Sequence, residues 1–131
     1  MRPVRHVFQL YTMAGDDLVW WRFLSSNGRC LARCPEPLGS VAEARAAIAS
    51  AVAALDRATV VVRPVSDNRW RWTMRLDGTV VAVGSPDHDR RVRCEHAAHR
   101  FAAAAPAAAV DPIVHTFHRR AAPRRTQQAS R

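Results

Sequence analysis

Two dipeptides fifty positions apart, Asn27-Gly28 and Asp77-Gly78, do most to restrict the folds open to this chain. Both accept positive φ at little cost, and each sits between apolar runs, the strongest short-range signal for a β-hairpin. The segment "LVWWRFLSSNGRCLARC" (Leu18 to Cys34) is echoed by "RWRWTMRLDGTVVAVG" (Arg69 to Gly84). An apolar run precedes each copy, "HVFQLYTM" and "ATVVVRPV", and a helix-like segment follows each, "SVAEARAAIASAVAAL" and "RRVRCEHAAHRFAAAA". The unit reads β-β-β-α with a period of about 50 residues.

A slip of one residue would move every strand side chain to the other face, so the alignment of the copies matters. Superposing Gly28 on Gly78 pairs Trp20 with Trp70 but Arg22 with Trp72. Making the second turn one residue shorter matches Val19, Trp21 and Phe23 with Trp70, Trp72 and Met74. Trp20, Arg22 and Leu24 then match Arg71, Thr73 and Arg75. Each copy gains one apolar face, as a half-buried strand requires. In "RWRWTMR" the tryptophans are therefore expected to face the core, with Arg69, Arg71 and Arg75 on the far face. Trp20 falls on the arginine side, where it is either a surface contact or a cover for the second face of the sheet.

Ser40 to Glu43 form a capping box at the start of the first helix. Val41, Ala44, Ile48, Val52 and Leu55 then recur at helical spacing as one apolar stripe, and Cys94, Ala98, Phe101 and Ala105 do so in the second helix. Both helices are expected on the tryptophan-bearing face. Pro106 and Asp111-Pro112 end the second helix, and a closing strand is expected at about 112–117. The reading is an α+β fold: an internally duplicated β-β-β-α unit, an antiparallel sheet, and two helices on one face. Residues 1–117 form a single domain, with repeat one at about 5–56 and repeat two at about 57–105. Residues 118–131, "HRRAAPRRTQQASR", read as a disordered arginine-rich tail.

Trp21-Arg22-Phe23, Ser26-Asn27-Gly28, Ser40 and Ile48-Ala49-Ser50 resemble the repeat of the YegP-like family of small bacterial and archaeal proteins. Ala47 stands where that repeat usually has glycine. The second copy keeps Trp72 and Asp77-Gly78 but has Arg90 in place of the helix-starting serine. The resemblance spans about Val7 to Ala105 and implies a duplicated α+β fold. It brings no catalytic residue and no settled activity.

All 20 basic residues are arginine, so no lysine serves as a Schiff base, a nucleophile or a P-loop anchor. With no G-x-G-x-x-G and no G-x-S-x-G, several enzyme classes are excluded, and neither an enzyme nor a cofactor is expected. The longest apolar run, "FAAAAPAAAV", is too short for a bilayer, the N-terminus carries no signal-peptide pattern, and three cysteines suit a reducing compartment. The expectation is a cytoplasmic protein without a membrane partner.

Of the net charge of +9, more than half lies on the tail, which holds five arginines and no acid. Arg119, Arg120, Arg124 and Arg125 form two pairs able to contact phosphates, Arg69, Arg71 and Arg75 on the outer sheet face offer a second basic surface, and Trp20 is the candidate aromatic contact. Such binding would be weak and sequence-nonspecific; the competing reading is a solubilising extension. His88, His96 and His99, with Cys94, are the candidate metal ligands, although Cys94 lies opposite His96 and the spacing fits no zinc motif. Asp87-His88-Asp89 reads either as an acid beside a base or as helix-capping acid, and capping is preferred. Cys30 and Cys34, about 13 Å apart on an extended strand, are too distant for a disulfide. The leading functional expectation is a non-enzymatic interaction or accessory module, with a protein partner or self-association. A weak nucleic-acid-associated protein is the first alternative and a metal protein or enzyme at the histidines the second.

Overall fold

A computed structural model describes residues 5–118. In chain order the elements are β1 (Val7–Met13), β2 (Val19–Leu24), β3 (Cys30–Arg33), α1 (Val41–Ala53), β4 (Thr59–Ser66), β5 (Arg69–Leu76), β6 (Thr79–Gly84), α2 (Arg91–Ala104) and β7 (Ala109–Phe117), with a 3-10 turn at Ala105–Ala107 before β7. The strands form one sheet in the order β4-β5-β6-β3-β2-β1-β7. The hairpins β1-β2-β3 and β4-β5-β6 are antiparallel and meet through an antiparallel β3–β6 pair. β7 departs from this pattern. It runs parallel to β1, so the sheet is mixed rather than wholly antiparallel. The cause is geometric: α2 and its 3-10 turn deliver the chain beside the start of β1, where Ala109 pairs with Val7, leaving β7 to run the same way. The closing strand also begins earlier than 112.

Turn chemistry sets the register. In the first unit Ser25 pairs with Arg29 across three residues, with Gly28 at φ 84°. In the second, Leu76 pairs with Thr79 across Asp77 (φ 52°) and Gly78 (φ 82°) alone, the left-handed pair of a two-residue loop. The second turn is thus one residue shorter, and the tryptophans fall into phase. Val19, Trp21 and Phe23 are buried, as are Trp72 and Met74, while Trp70 is half-buried. A bulge follows at matching places, with Leu24 opposite Cys30 but Phe23 opposite Ala32, and Arg75 opposite Val80 but Met74 opposite Ala82.

Both helices pack on this face, α1 against β1, β2 and β6, and α2 against β3, β4 and β5. Phe101 of α2 links the halves: its ring centroid lies 5.0 Å from Phe23, 6.3 Å from Phe8 and 5.4 Å from Trp72. The α2 stripe of Cys94, Ala98, Phe101 and Ala105 is buried as expected. In α1 the buried positions are Ala44, Ile48, Ala51 and Ala54, with Val41, Val52 and Leu55 at its margin. Small side chains at the centre let the helix approach the sheet closely. Ser40 Oγ accepts from Glu43 N at 3.1 Å, but Glu43 reaches past Ser40 to accept from Gly39 N at 2.9 Å. α2 starts at Arg90 without any side-chain cap. No helix among the described residues is long and apolar enough to cross a membrane.

Candidate functional site

Because both helices lie on one face, no described element covers the other face of the sheet, and the strand alternation decides what it displays. Cross-strand pairing sets Gln9, Arg22, Arg33, Val83, Thr73 and Val61 in one row across six strands. A second row holds the directly opposed Arg63 and Arg71, and Arg75 projects from the same face of β5 on the other side of Thr73. At the other end, Trp20, Tyr11 and His115 are neighbours on β2, β1 and β7. Tyr11 and Trp20 stack with planes 14° apart and centroids at 6.4 Å, and Phe117 lies 5.2 Å from Tyr11. Arg22 donates to Gln9 Oε1 at 2.7 Å, which holds its guanidinium over Phe117 (4.9 Å) and Tyr11 (5.6 Å). The result is an aromatic cluster beside a row of arginines.

Trp20 Nε1, Arg75 Nε and His115 Nε2 on this face are buried and make no hydrogen bond among the described residues. His115 Nε2 stands 3.6 Å from Asp111 Oδ2, an ion-pair distance only when the ring is protonated. Burial raises the Tyr11 phenol above its ordinary value by disfavouring the charged form.

Among the described residues, Arg71 is the arginine of this face that is paired with a carboxylate. Its Nε and Nη2 donate to Asp87 Oδ1 and Oδ2 at 2.7 and 3.0 Å. The hydrogen bonds from Arg71, more than the added fields of Arg33 and Arg69, hold Asp87 below the ordinary carboxylate value of 3.8. Asp87 is therefore a strut between β5 and the segment before α2, not the helix cap preferred from sequence. Asp89 does not cap either; it lies 3.9 Å from Arg93. The pH consequence has a definite sign. A depressed carboxylate stabilises the fold fully above its unfolded value and ceases to do so as pH falls through the lower folded one. Arg71→Gln is expected to flatten the dependence of the unfolding midpoint on pH below about 4, by a modest amount because both side chains are partly exposed. Denaturant titrations at stepped acid pH would measure it, and an unchanged slope would show the pair to be solvated.

The other expected sites separate. Trp20 and Arg71 both lie on the open face, Trp20 as half-buried cover and Arg71 as an ion-paired strut. Arg119, Arg120, Arg124 and Arg125 lie outside the described residues. His96 and His99 are exposed on α2 beside β4, whereas His88 is tied by backbone hydrogen bonds to Trp70. Among the described residues no group of three or more His, Cys, Asp or Glu side chains is placed to hold a metal ion. Burial, then Arg100, pushes the His88 imidazole below its ordinary value. Cys34 is buried and accepts from Trp21 N at 3.3 Å, and Cys94 is pushed up to about 11, chiefly by burial, so both thiols are inert. Sequence reading missed Tyr11, Arg22, Arg33, His115 and Phe117 as one cluster. Parity placed Arg22 outward, but only the β1–β7 and β3–β6 pairings bring the rest beside it.

Solved structures share the architecture. A solution structure of yegP from E. coli, a protein of unknown function, superposes with a TM-score of 0.67 at 15% identity, covering 88% of this chain and 97% of that one. A UPF0339 protein from Shewanella oneidensis gives 0.65 at 8% identity over 86% of this chain and 92% of its own. No family model and no curated protein matches the sequence. At these identities the likeness shows a YegP-like fold and no activity.

Proposed function

We propose that this chain is a non-enzymatic cytoplasmic binding module, two tandem copies of a β-β-β-α unit, whose working surface is the helix-free face of the sheet. Its ligand on this reading is single-stranded nucleic acid, held weakly and without sequence preference. The observation that carries the reading is the combination on one open face of Arg22, Arg33, Arg63 and Arg75 with an aromatic cluster at Tyr11 and Trp20. Phosphates supply the negative charge that Arg22, Arg33, Arg63 and Arg75 lack among the described residues, and bases supply flat surfaces for the aromatic end. Identical geometry would suit a generic acidic surface less well, because the aromatic cluster would then stay idle.

Four phosphate contacts give a salt slope of roughly −3 for single strands, a loss of about 50-fold between about 50 and 200 mM salt. Fluorescence anisotropy with a labelled thymidine oligonucleotide would measure it on the full chain. Arg33→Gln and Arg63→Gln are each expected to reduce the slope by about 0.7. Slopes untouched by either substitution but abolished by replacing Arg119, Arg120, Arg124 and Arg125 would transfer the activity to the tail and overturn the reading.

A further inference from the structure

The outer strands of the two three-stranded hairpins, β1 and β4, are not finished alike. β1 has a neighbour on each side, β2 and β7, whereas β4 has only β5. Phe8 and Leu10 of β1 stand opposite Phe23 and Trp21; in the same way Val60 and Val62 of β4 stand opposite Met74 and Trp72. β7 closes β1 by setting Val110 beside Phe8 and Val114 beside Leu10, and those two core residues are 1% and 0% exposed. Nothing among the described residues does this for β4. Val60 is 40% exposed, and a groove of about 640 Å³ runs between β4 and α2, lined by Val60, Val62, Arg91, Glu95, His96 and His99. An apolar edge strand with free backbone groups is a template for another strand.

We infer that this groove receives an extended segment of a partner protein, laid along β4 as β7 is laid along β1. Main-chain hydrogen bonds to β4 supply affinity, and side chains at alternate positions supply selectivity. Those pointing to the helix side fill the space over Val60 and Val62 and are aliphatic, as Val110 and Val114 are. Those pointing to the open face meet Arg63, the counterpart of Tyr11 in this register, and Arg63 has no carboxylate partner among the described residues. The position beside it is therefore acidic. Charge also selects the occupant. A second copy pairing through its own β4 would bring another Arg63 and a Pro64, which adds like charges and removes a donor. The tail, with five arginines and no acid, is disfavoured in the same way. An aliphatic, acidic strand fits.

The inference shares Arg63 with the nucleic-acid reading but rests on the β4 edge, and it is tested separately. Two peptides serve as probes, AVDPIVETF and AVDPIVRTF, the sequence of β7 with glutamate or arginine in the position that would face Arg63. Titrated into the isotope-labelled full chain, the glutamate peptide is expected to shift the amides of Val60, Val62 and Arg63 and to bind roughly threefold or more tighter than the arginine peptide. Val60→Lys, at a site already exposed, should abolish binding while leaving the unfolding midpoint in place. Arg63→Glu should reverse the preference between the peptides, a readout that a folding defect cannot imitate. Shifts absent from β4 at millimolar peptide, or equal affinity for both peptides, would overturn the inference. Concentration-dependent protection of the β4 amides without peptide would also overturn it, in favour of a second copy.

Discussion

Trp72→Ala is expected to lower the free energy of unfolding by about 3–5 kcal/mol, the range for truncating a fully buried aromatic. The indole is 0% exposed and packs at 5.4 Å on Phe101, the residue that joins the two halves of the core. Its Nε1 has no hydrogen-bond partner, so the loss is one of packing alone, uncomplicated by an orphaned acceptor. Denaturant unfolding should show a lower midpoint with little change in slope. Arg71→Ala, one residue earlier on the same strand and on the opposite face, should cost far less. A midpoint unmoved by Trp72→Ala would mean that the strand is out of phase by one residue and that the arginines, not the tryptophans, face the helices.

Gly84→Ala should also destabilise, by about 1–3 kcal/mol, although adding a methyl group to a strand glycine ordinarily helps. A Cβ at Gly84 would come within 2.6 Å of Trp72 Cε2, and the indole is enclosed on every side. Neither partner has room to move. The diagnostic comparison is a double-mutant cycle: in a Trp72→Phe background the ring is smaller and most of the penalty of Gly84→Ala should disappear. Equal penalties in both backgrounds would place the strain in the backbone instead. In the first unit the residue at the matching place is Cys34, whose sulfur instead accepts from Trp21 N. The two halves solve the same packing problem with different residues.

Local chemistry made much of this fold readable. The one-residue difference between "SSNG" and "LDG" was enough to phase Trp21 with Trp72, and Ser40 announced the start of α1. What escaped is long-range. Nothing in "VDPIVHTF" says that its neighbour is β1 or that the two run parallel; that follows from where α2 sets the chain down. Asp87 looked like a cap because it precedes a helix, yet Arg71, 16 residues earlier, holds it. The open face was half legible. Parity put Arg22, Arg71, Arg75 and Trp20 outward, but Tyr11, His115 and Phe117 join them from strands whose pairing no local pattern encodes.

The proposed working surface is the product of two facts: both helices choose one face, and the other collects arginines and aromatics from six strands. Mapping amide shifts of the labelled full chain on addition of a thymidine oligonucleotide tests this most directly. The expected result is a set of shifts at Tyr11, Trp20, Arg22, Arg33, Thr73 and Arg75, with the indole N–H of Trp20 among the largest and the α1 and α2 amides quiet. Shifts confined to residues 118–131, or centred on the helices, would contradict it.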